Sequence, residues 1–322
     1  MGMPLPWMLG PMIGNTVAAI AGVPIKGPLK IRPVVIPIIG VMLGSAITAE
    51  LFADLGPWIV TLIALPFVLG TTAGVSFLVY RRIGKYDPVT AYYAAMPGGL
   101  NEMMLLGEAA GGDEKKIALA HASRVLLVIF CVVAFFWVAL GVRTTGMASW
   151  TQLGDLTAWD YLILSICAVL GLWGGQALKV PAAPIFGPMA LSGLAHLMGW
   201  VTVAPPSIFV IIAQLVMGTV IGSRFVGTTL KEVGGDLKLG LISAVAMLIV
   251  ATLFAEVMIL TGVPLSQAFL AFAPGGLTEM SLLALSMDQD PAYVSTIHLF
   301  RITLVIAAAP VVFGLIGRFS AR

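Results

Sequence analysis

Two stretches of this chain repeat one another in register, which restricts the fold to two copies of one unit. Ala94, Pro97, Gly98, Gly99, Leu100, Glu102, Met103, Leu105 and Leu106 recur as Ala271, Pro274, Gly275, Gly276, Leu277, Glu279, Met280, Leu282 and Leu283, an offset of 274 − 97 = 177. The same offset carries Asp113 to Asp290, His121 to His298 and Arg124 to Arg301. It also carries Gly10-Pro11-Met12 to Gly187-Pro188-Met189. The chain has only three His, so matching His and Glu in register reflects duplication, not composition. We take 1–150 as repeat 1 and 151–322 as repeat 2.

The apolar blocks at 57–80, 117–140, 160–178, 238–262 and 292–317 say what the unit is made of. About 20 helical residues cross about 30 Å of hydrocarbon, and each block is of about that length. Their apolar patterning is helix-period or continuous, without the short alternating strands of a membrane barrel. Hydrophobic residues make up 59% of the chain and charged ones 10%, with mean hydropathy +1.04. So few charges could not cover a soluble protein of this size. The expectation is an all-α polytopic membrane protein whose first partner is the lipid bilayer. A net charge of +2, spread over short loops, leaves no footprint for nucleic acid. Cys131 and Cys167 lie inside apolar segments and read as buried free thiols. Met1 to Pro11 shows no cleavable signal pattern.

Each repeat reads as six elements, a to f. In repeat 2 they are a (160–178), b (182–201), c (207–224), d (238–262), e (266–286) and f (292–318). In repeat 1, elements b to f fall near 5–23, 33–51, 57–80, 91–110 and 117–140. Element a would precede Met1, so the first helix of repeat 1 is missing. Loop b–c of repeat 1 holds Lys26, Lys30 and Arg32, and its loop d–e holds Arg81, Arg82 and Lys85, while c–d holds no Lys or Arg. In repeat 2 the basic residues Arg224, Lys231 and Lys238 sit in c–d instead. This opposite bias predicts inverted-topology repeats, which need an odd number of crossings per unit. About five transmembrane helices plus a re-entrant e, broken by Pro-Gly-Gly, satisfy that. The C-terminus is then cytoplasmic, and a truncated start explains the missing helix better than its loss.

Pro97-Gly98-Gly99 and Pro274-Gly275-Gly276 interrupt their helices, because Pro lacks an N–H and Gly tolerates non-helical dihedrals. Broken backbone at membrane depth survives only beside protein or a watery cavity. Its bared N–H groups attract anions and its carbonyls attract cations. The bland alternative is a pair of permissive kinks. Glu102 and Glu279 fall in the first turn of the following half-helix. There a carboxylate either carries ion or proton coupling or caps its own helix. The neighbours Asn101 and Thr278 could add oxygen ligands. His121 with Arg124, and His298 with Arg301, share a helix face at i, i+3. Each Arg could fork onto an anionic substrate or onto the hairpin Glu, and each His could carry a proton or donate to a carbonyl. Asp113 and Asp290 read as caps of the helices that follow, with Pro291 a good first residue. Gly40, Gly44, Gly218 and Gly222 have the spacing of close helix packing.

The twin Pro-Gly-Gly-Leu-x-Glu-Met stretches, each followed by His-x-x-Arg, resemble the bacterial AbrB-duplication membrane family over essentially the whole chain. The resemblance implies a ten-helix-like duplicated membrane protein of the inner (cytoplasmic) membrane, usually longer at its N-terminus. Members are also labelled ammonia monooxygenases or linked to regulation, and the resemblance supplies no substrate. Three functions compete. A secondary transporter would move a small, anionic solute by alternating access between the repeats, coupled to H⁺ or Na⁺. No GxxxxGK[ST] motif is present for direct use of ATP. A membrane metalloenzyme would need a dinuclear site from two Glu and two His, yet Arg124 and Arg301 nearby would repel a cation. A membrane-bound sensor would need a soluble output surface, whereas polar stretches reach only about 12–18 residues. The residues favour transport, with no enzyme activity, cofactor or metal, and with homo-oligomer formation open.

Overall fold

The computed structural model describes residues 6–49, 56–138, 151–180, 182–226 and 230–320, with the side chains of 101, 230–233 and 316–320 outside that description. Thirteen α-helices and no strand form among the described residues. In chain order they are α1 (Pro6–Ile20), α2 (Arg32–Ser45), α3 (Gly56–Leu78), α4 (Pro88–Ala95), α5 (Leu100–Ala109), α6 (Glu114–Val138) and α7 (Ala158–Ala177). Then follow α8 (Ala183–Leu197), α9 (Ser207–Gly222), α10 (Leu230–Met258), α11 (Leu265–Phe272), α12 (Leu277–Ser286) and α13 (Pro291–Ser320). Element bounds recur at the sequence offset: α4 and α11 start at 88 and 265, and 265 − 88 = 177. The starts of α5 and α12, and of α6 and α13, differ by the same amount.

Six helices are long and apolar enough to cross a membrane: Gly56–Ile83, Glu114–Val138, Ala158–Ala177, Ser207–Phe225, Gly234–Thr261 and Pro291–Leu315. The helices α1, α2 and α8 have 14 or 15 residues. At 1.5 Å per residue they reach about 21–23 Å, short of the hydrocarbon thickness. Element e, read as one broken segment, is two short helices in each repeat, of 8 and 10 residues. They are about 12 and 15 Å long, so neither crosses alone.

The chain divides into two compact units that do not follow the repeat boundary. The first is Met1–Gly56, Val133–Val226 and Thr278–Ser295; the second is Pro57–Val132, Gly227–Leu277 and Thr296–Arg322.

In the first unit, α1 packs on α9 and α2 on α8. A Cβ on Gly218 would land on the carbonyl oxygen of Met8, and one on Gly222 would lie 2.6 Å from that of Met12. On the other pair, a Cβ on Gly40 would lie 2.5 Å from the carbonyl oxygen of Ile185, and one on Gly44 would land on that of Met189. Both pairs therefore run parallel, and the Gly spacing in the sequence is used for backbone-to-backbone approach. Pro11 and Pro188 stand inside continuous helices, so Gly-Pro-Met does not break them.

In the second unit, α3 and α10 run antiparallel. Ser76 Oγ and Ser243 Oγ lie 2.7 Å apart, while the Thr61 hydroxyl is 3.8 Å from Met258 Sδ. Past their ends, Lys85 and Gly262, 262 − 85 = 177 apart, both adopt positive φ of 53° and 86°.

Candidate functional site

The first hairpin lies within the second unit. Asp87 starts α4, its carboxylate accepting from the Thr90 N–H at 3.0 Å, and Pro88 occupies the first turn. The helix stops at Met96, which is extended (φ −60°, ψ 129°) as the residue before a Pro prefers. Ending a helix this way leaves its last carbonyls without intrahelical partners. Those carbonyls are taken up by α6. His121 Nε2 donates to Tyr93 O at 3.0 Å. Arg124 Nη1 donates to Ala94 O at 3.2 Å, and its Nη2 donates to Met96 O at 3.0 Å and to His121 Nδ1 at 2.7 Å. With Nδ1 accepting and Nε2 donating, His121 holds one proton and is neutral.

Repeat 2 builds the same device. Ala273 is extended before Pro274 (φ −57°, ψ 134°). His298 Nε2 donates to Leu270 O at 3.0 Å, and Arg301 donates to Ala273 O at 2.7 Å and to Gly275 O at 2.5 Å. Both His reach back 28 residues, and His121, Arg124, His298 and Arg301 are all at most 3% exposed. A buried cation at a helix C-terminus also meets the negative end of the helix dipole. The sequence offered each Arg a carboxylate, from a substrate or from the hairpin Glu. Arg124 turns to the carbonyls that the Pro break exposes, and Arg301 places its two terminal nitrogens on carbonyls in the same way.

The two Glu are not equivalent. Glu102 is exposed, and its carboxylate lies over Gly99, where a Cβ would collide with it. Gly99 has φ −66°, so at this position the glycine provides space, not an unusual dihedral. A Cβ on Gly98 would stand 2.9 Å from Val305 Cγ1. The Asn101 side chain lies outside the described residues. Glu279 and Thr278, in the first unit, are buried at 5% and 6% exposure. Arg224 is within electrostatic range of Glu279 and of Arg32. The sequence used Arg224 and Arg32 only as loop charges; Arg224 shares repeat 2 with Glu279, and it is the approach of Arg32 to Arg224 that crosses the repeats, which no periodicity encodes.

The caps on α6 and α13 form as expected. Asp113 Oδ1 accepts from Lys116 N at 3.0 Å, and Asp290 Oδ1 accepts from Ala292 N and Tyr293 N at 2.8 and 3.0 Å. Burial pushes the Asp290 carboxyl above its ordinary range, against those two N–H bonds. In the first unit, Ser281 and Ser295 share a hydroxyl bond of 2.8 Å between α12 and the start of α13.

Residues 7–317 match a family model described as "Transition state regulatory protein AbrB". The chain is similar to "Uncharacterized protein YhjN" of Bacillus subtilis (strain 168), with 26% identity over 299 residues, 85% of this chain and 75% of that protein. It is also similar to "Putative regulator AbrB" of Escherichia coli (strain K12), with 22% identity over 328 residues, 99% of this chain and 92% of that protein.

Proposed function

The chain belongs to the AbrB family, and we propose that it is a secondary-active membrane transporter of a small solute, built from two inverted-topology repeats. The observation that carries this reading is the antiparallel run of α3 against α10, which are counterparts in the two repeats. Counterpart helices of opposite direction are what inverted repeats require. The parallel packing of α1 on α9 and of α2 on α8 agrees, since it pairs element b of each repeat with element c of the other.

In this reading α4–α5 and α11–α12 re-enter the membrane, and their Pro-Gly-Gly breaks are the solute and ion elements. Pro97, Gly98, Gly99, Pro274, Gly275 and Gly276 bare the backbone; Glu102 and Glu279, with Asn101 and Thr278, carry the coupling H⁺ or Na⁺. Arg124, Arg301, His121 and His298 hold each break open by occupying its carbonyls, so they are positioning residues. The preference for an anion then rests on the N–H groups at the starts of α5 and α12.

Among the described residues no three His, Cys, Asp or Glu converge, so no observation favours a metalloenzyme over the transport reading. A regulatory role has its support in the family description and in the Escherichia coli relative's name. It is compatible with a transporter whose occupancy is sensed.

The test is a thermal-shift screen of the purified protein in detergent with organic acids, amino acids, Na⁺ and divalent metals, followed by flux in proteoliposomes. Saturable stabilisation and uptake, both lost in Glu279→Gln while the variant keeps its fold, support transport. Stabilisation by a transition metal alone, lost in Glu102→Gln, would overturn it.

A further inference from the structure

The second unit contains a groove of about 430 Å³ beside the first broken hairpin, lined by α3, by α4 with Met96 and Pro97, and by α13. That volume is within the range of about 300–1,000 Å³ found for small-ligand sites. The groove exists because side chains are missing. Gly70 and Gly74, one turn apart on α3, have nothing within 4 Å of where a Cβ would stand. Ala308 and Ala309 line it from α13. At the equivalent positions of the other repeat, all 177 residues away, the chain has Met247, Ala251, Cys131 and Val132. Met247, Ala251 and Val132 are each 0% exposed, whereas Gly70 and Gly74 are open. One copy of the duplicated unit fills these positions and the other leaves them empty. The contrast with Gly40, Gly44, Gly218 and Gly222 is equally direct, since each of those glycines has a partner helix's carbonyl against it.

The occupant follows from the lining and from the medium. Tyr92 is the polar residue of the lining, and its hydroxyl is already donated to Ala309 O at 2.8 Å. Water inside would find few partners, and apolar cavities of this kind stay dry. The groove lies between two helices long enough to span a bilayer, and neighbouring Phe67 and Val311 are 67% and 61% exposed. Surfaces of this composition face hydrocarbon in a membrane. We infer that the groove binds one acyl chain of a membrane phospholipid, seated against the hairpin break at Met96 and Pro97. The chain fills the space that Met247 fills in the other repeat, and it braces α4 against α3 and α13. This inference is independent of the transport reading.

The experiment uses the full chain in vesicles of phosphatidylethanolamine and phosphatidylglycerol, with a trace of phospholipid bearing a photoactivatable diazirine in its acyl chain. Cross-linked peptides are mapped by mass spectrometry. Labelling is expected to concentrate around Gly70–Gly74 and Ala308–Ala309. It should be largely lost in Gly70→Met, reduced in Ala308→Cys, and unchanged in both at Leu253 and Val257, exposed on α10 at 57% and 53%. Gly70→Met meets open space, and Ala308→Cys, a smaller change, decides the matter if the first variant does not fold. Labelling no denser than on α10 and unaffected by either variant would mean bulk lipid only and would overturn the proposal. So would cross-links through the groove between two copies of the chain.

Discussion

Arg124 shows how a single side chain can be tied to a helix break. Pro97 ends α4, the end bares carbonyls, and a forked cation can hold several carbonyls where a Lys ammonium would hold fewer. Removing it strands buried acceptors, each costing about 1–3 kcal/mol. Arg124→Ala should therefore lower stability in detergent by several kcal/mol, and Arg124→Lys should recover only part of it. Glu102→Gln, exposed, should leave thermal unfolding unchanged and act only on flux; equal losses of stability in Glu102→Gln and Arg124→Ala would refute this division of roles. A pH experiment isolates another residue. Asp290 has a carboxyl raised by burial, so the native fold favours its protonated form. Its contribution to stability is present below the ordinary value of 3.8 and is lost as pH rises through the raised native value. Asn at 290 keeps an acceptor for Ala292 and Tyr293 without that loss. Asp290→Asn should thus gain on the native protein in thermal unfolding as pH rises to neutrality, and Asp290→Ala should lose about 1 kcal/mol of cap. A parallel response of native protein and Asp290→Asn across that window would remove the carboxyl from the account. The i, i+3 spacing of His121 and Arg124 made their shared face legible in the sequence, but not what the face meets. The missing signal was the break itself, since a helix stopped by Pro must find donors for its carbonyls.

At the scale of elements, the sequence offset of 177 reappears in helix bounds: α4 and α11, and α5 and α12, start and end at matching positions. The glycine spacing also announced close packing. Its partners were hidden, because a small-residue face states how near another helix can come and not which helix it is. Here α1 meets α9 and α2 meets α8, each pairing crossing the two repeats. The same substitution should have opposite signs at two glycines. On α2, a Cβ at Gly44 would overlap the Met189 carbonyl and stand 2.7 Å from Ser192 Cβ, so Gly44→Ala should cost about 1–3 kcal/mol by overpacking. On α1, Gly14 has nothing within 4 Å, and Gly14→Ala should gain about 0.5–1 kcal/mol from helix propensity. Thermal unfolding of the two variants in one detergent decides it. Destabilisation of the same size at both would mean that the α2–α8 approach is not what requires Gly44.

For the whole molecule, loop charges and helix direction bear on the same question by separate routes. The charges predicted that Lys26, Lys30 and Arg32 share a side with Arg224, and the first unit brings Gly27 against Ser223, whose Cβ would be 3.2 Å from a Cβ added there. Parallel α1 and α9 bring their C-terminal ends to that side. Parallel α2 and α8 end together on the other, where Gly193 meets Ile47. The loop after α8 must then face away from the basic loop after α1. Lys26, Thr202 and Val226 are exposed and lie on these loops, so single cysteines there report the sides without disturbing packing. In a background with Cys131 and Cys167 replaced by Ala, a membrane-impermeant maleimide on intact cells should label Thr202→Cys. It should reach Lys26→Cys and Val226→Cys only after permeabilisation. Labelling of all three from outside would break the link between helix direction and loop charge, and the inverted pairing of the repeats would fall with it. Labelling of Thr202→Cys alone puts the two repeats in opposite orientations across the bilayer, the condition under which two broken hairpins that share the Pro-Gly-Gly-Leu-x-Glu-Met motif can present themselves to opposite compartments.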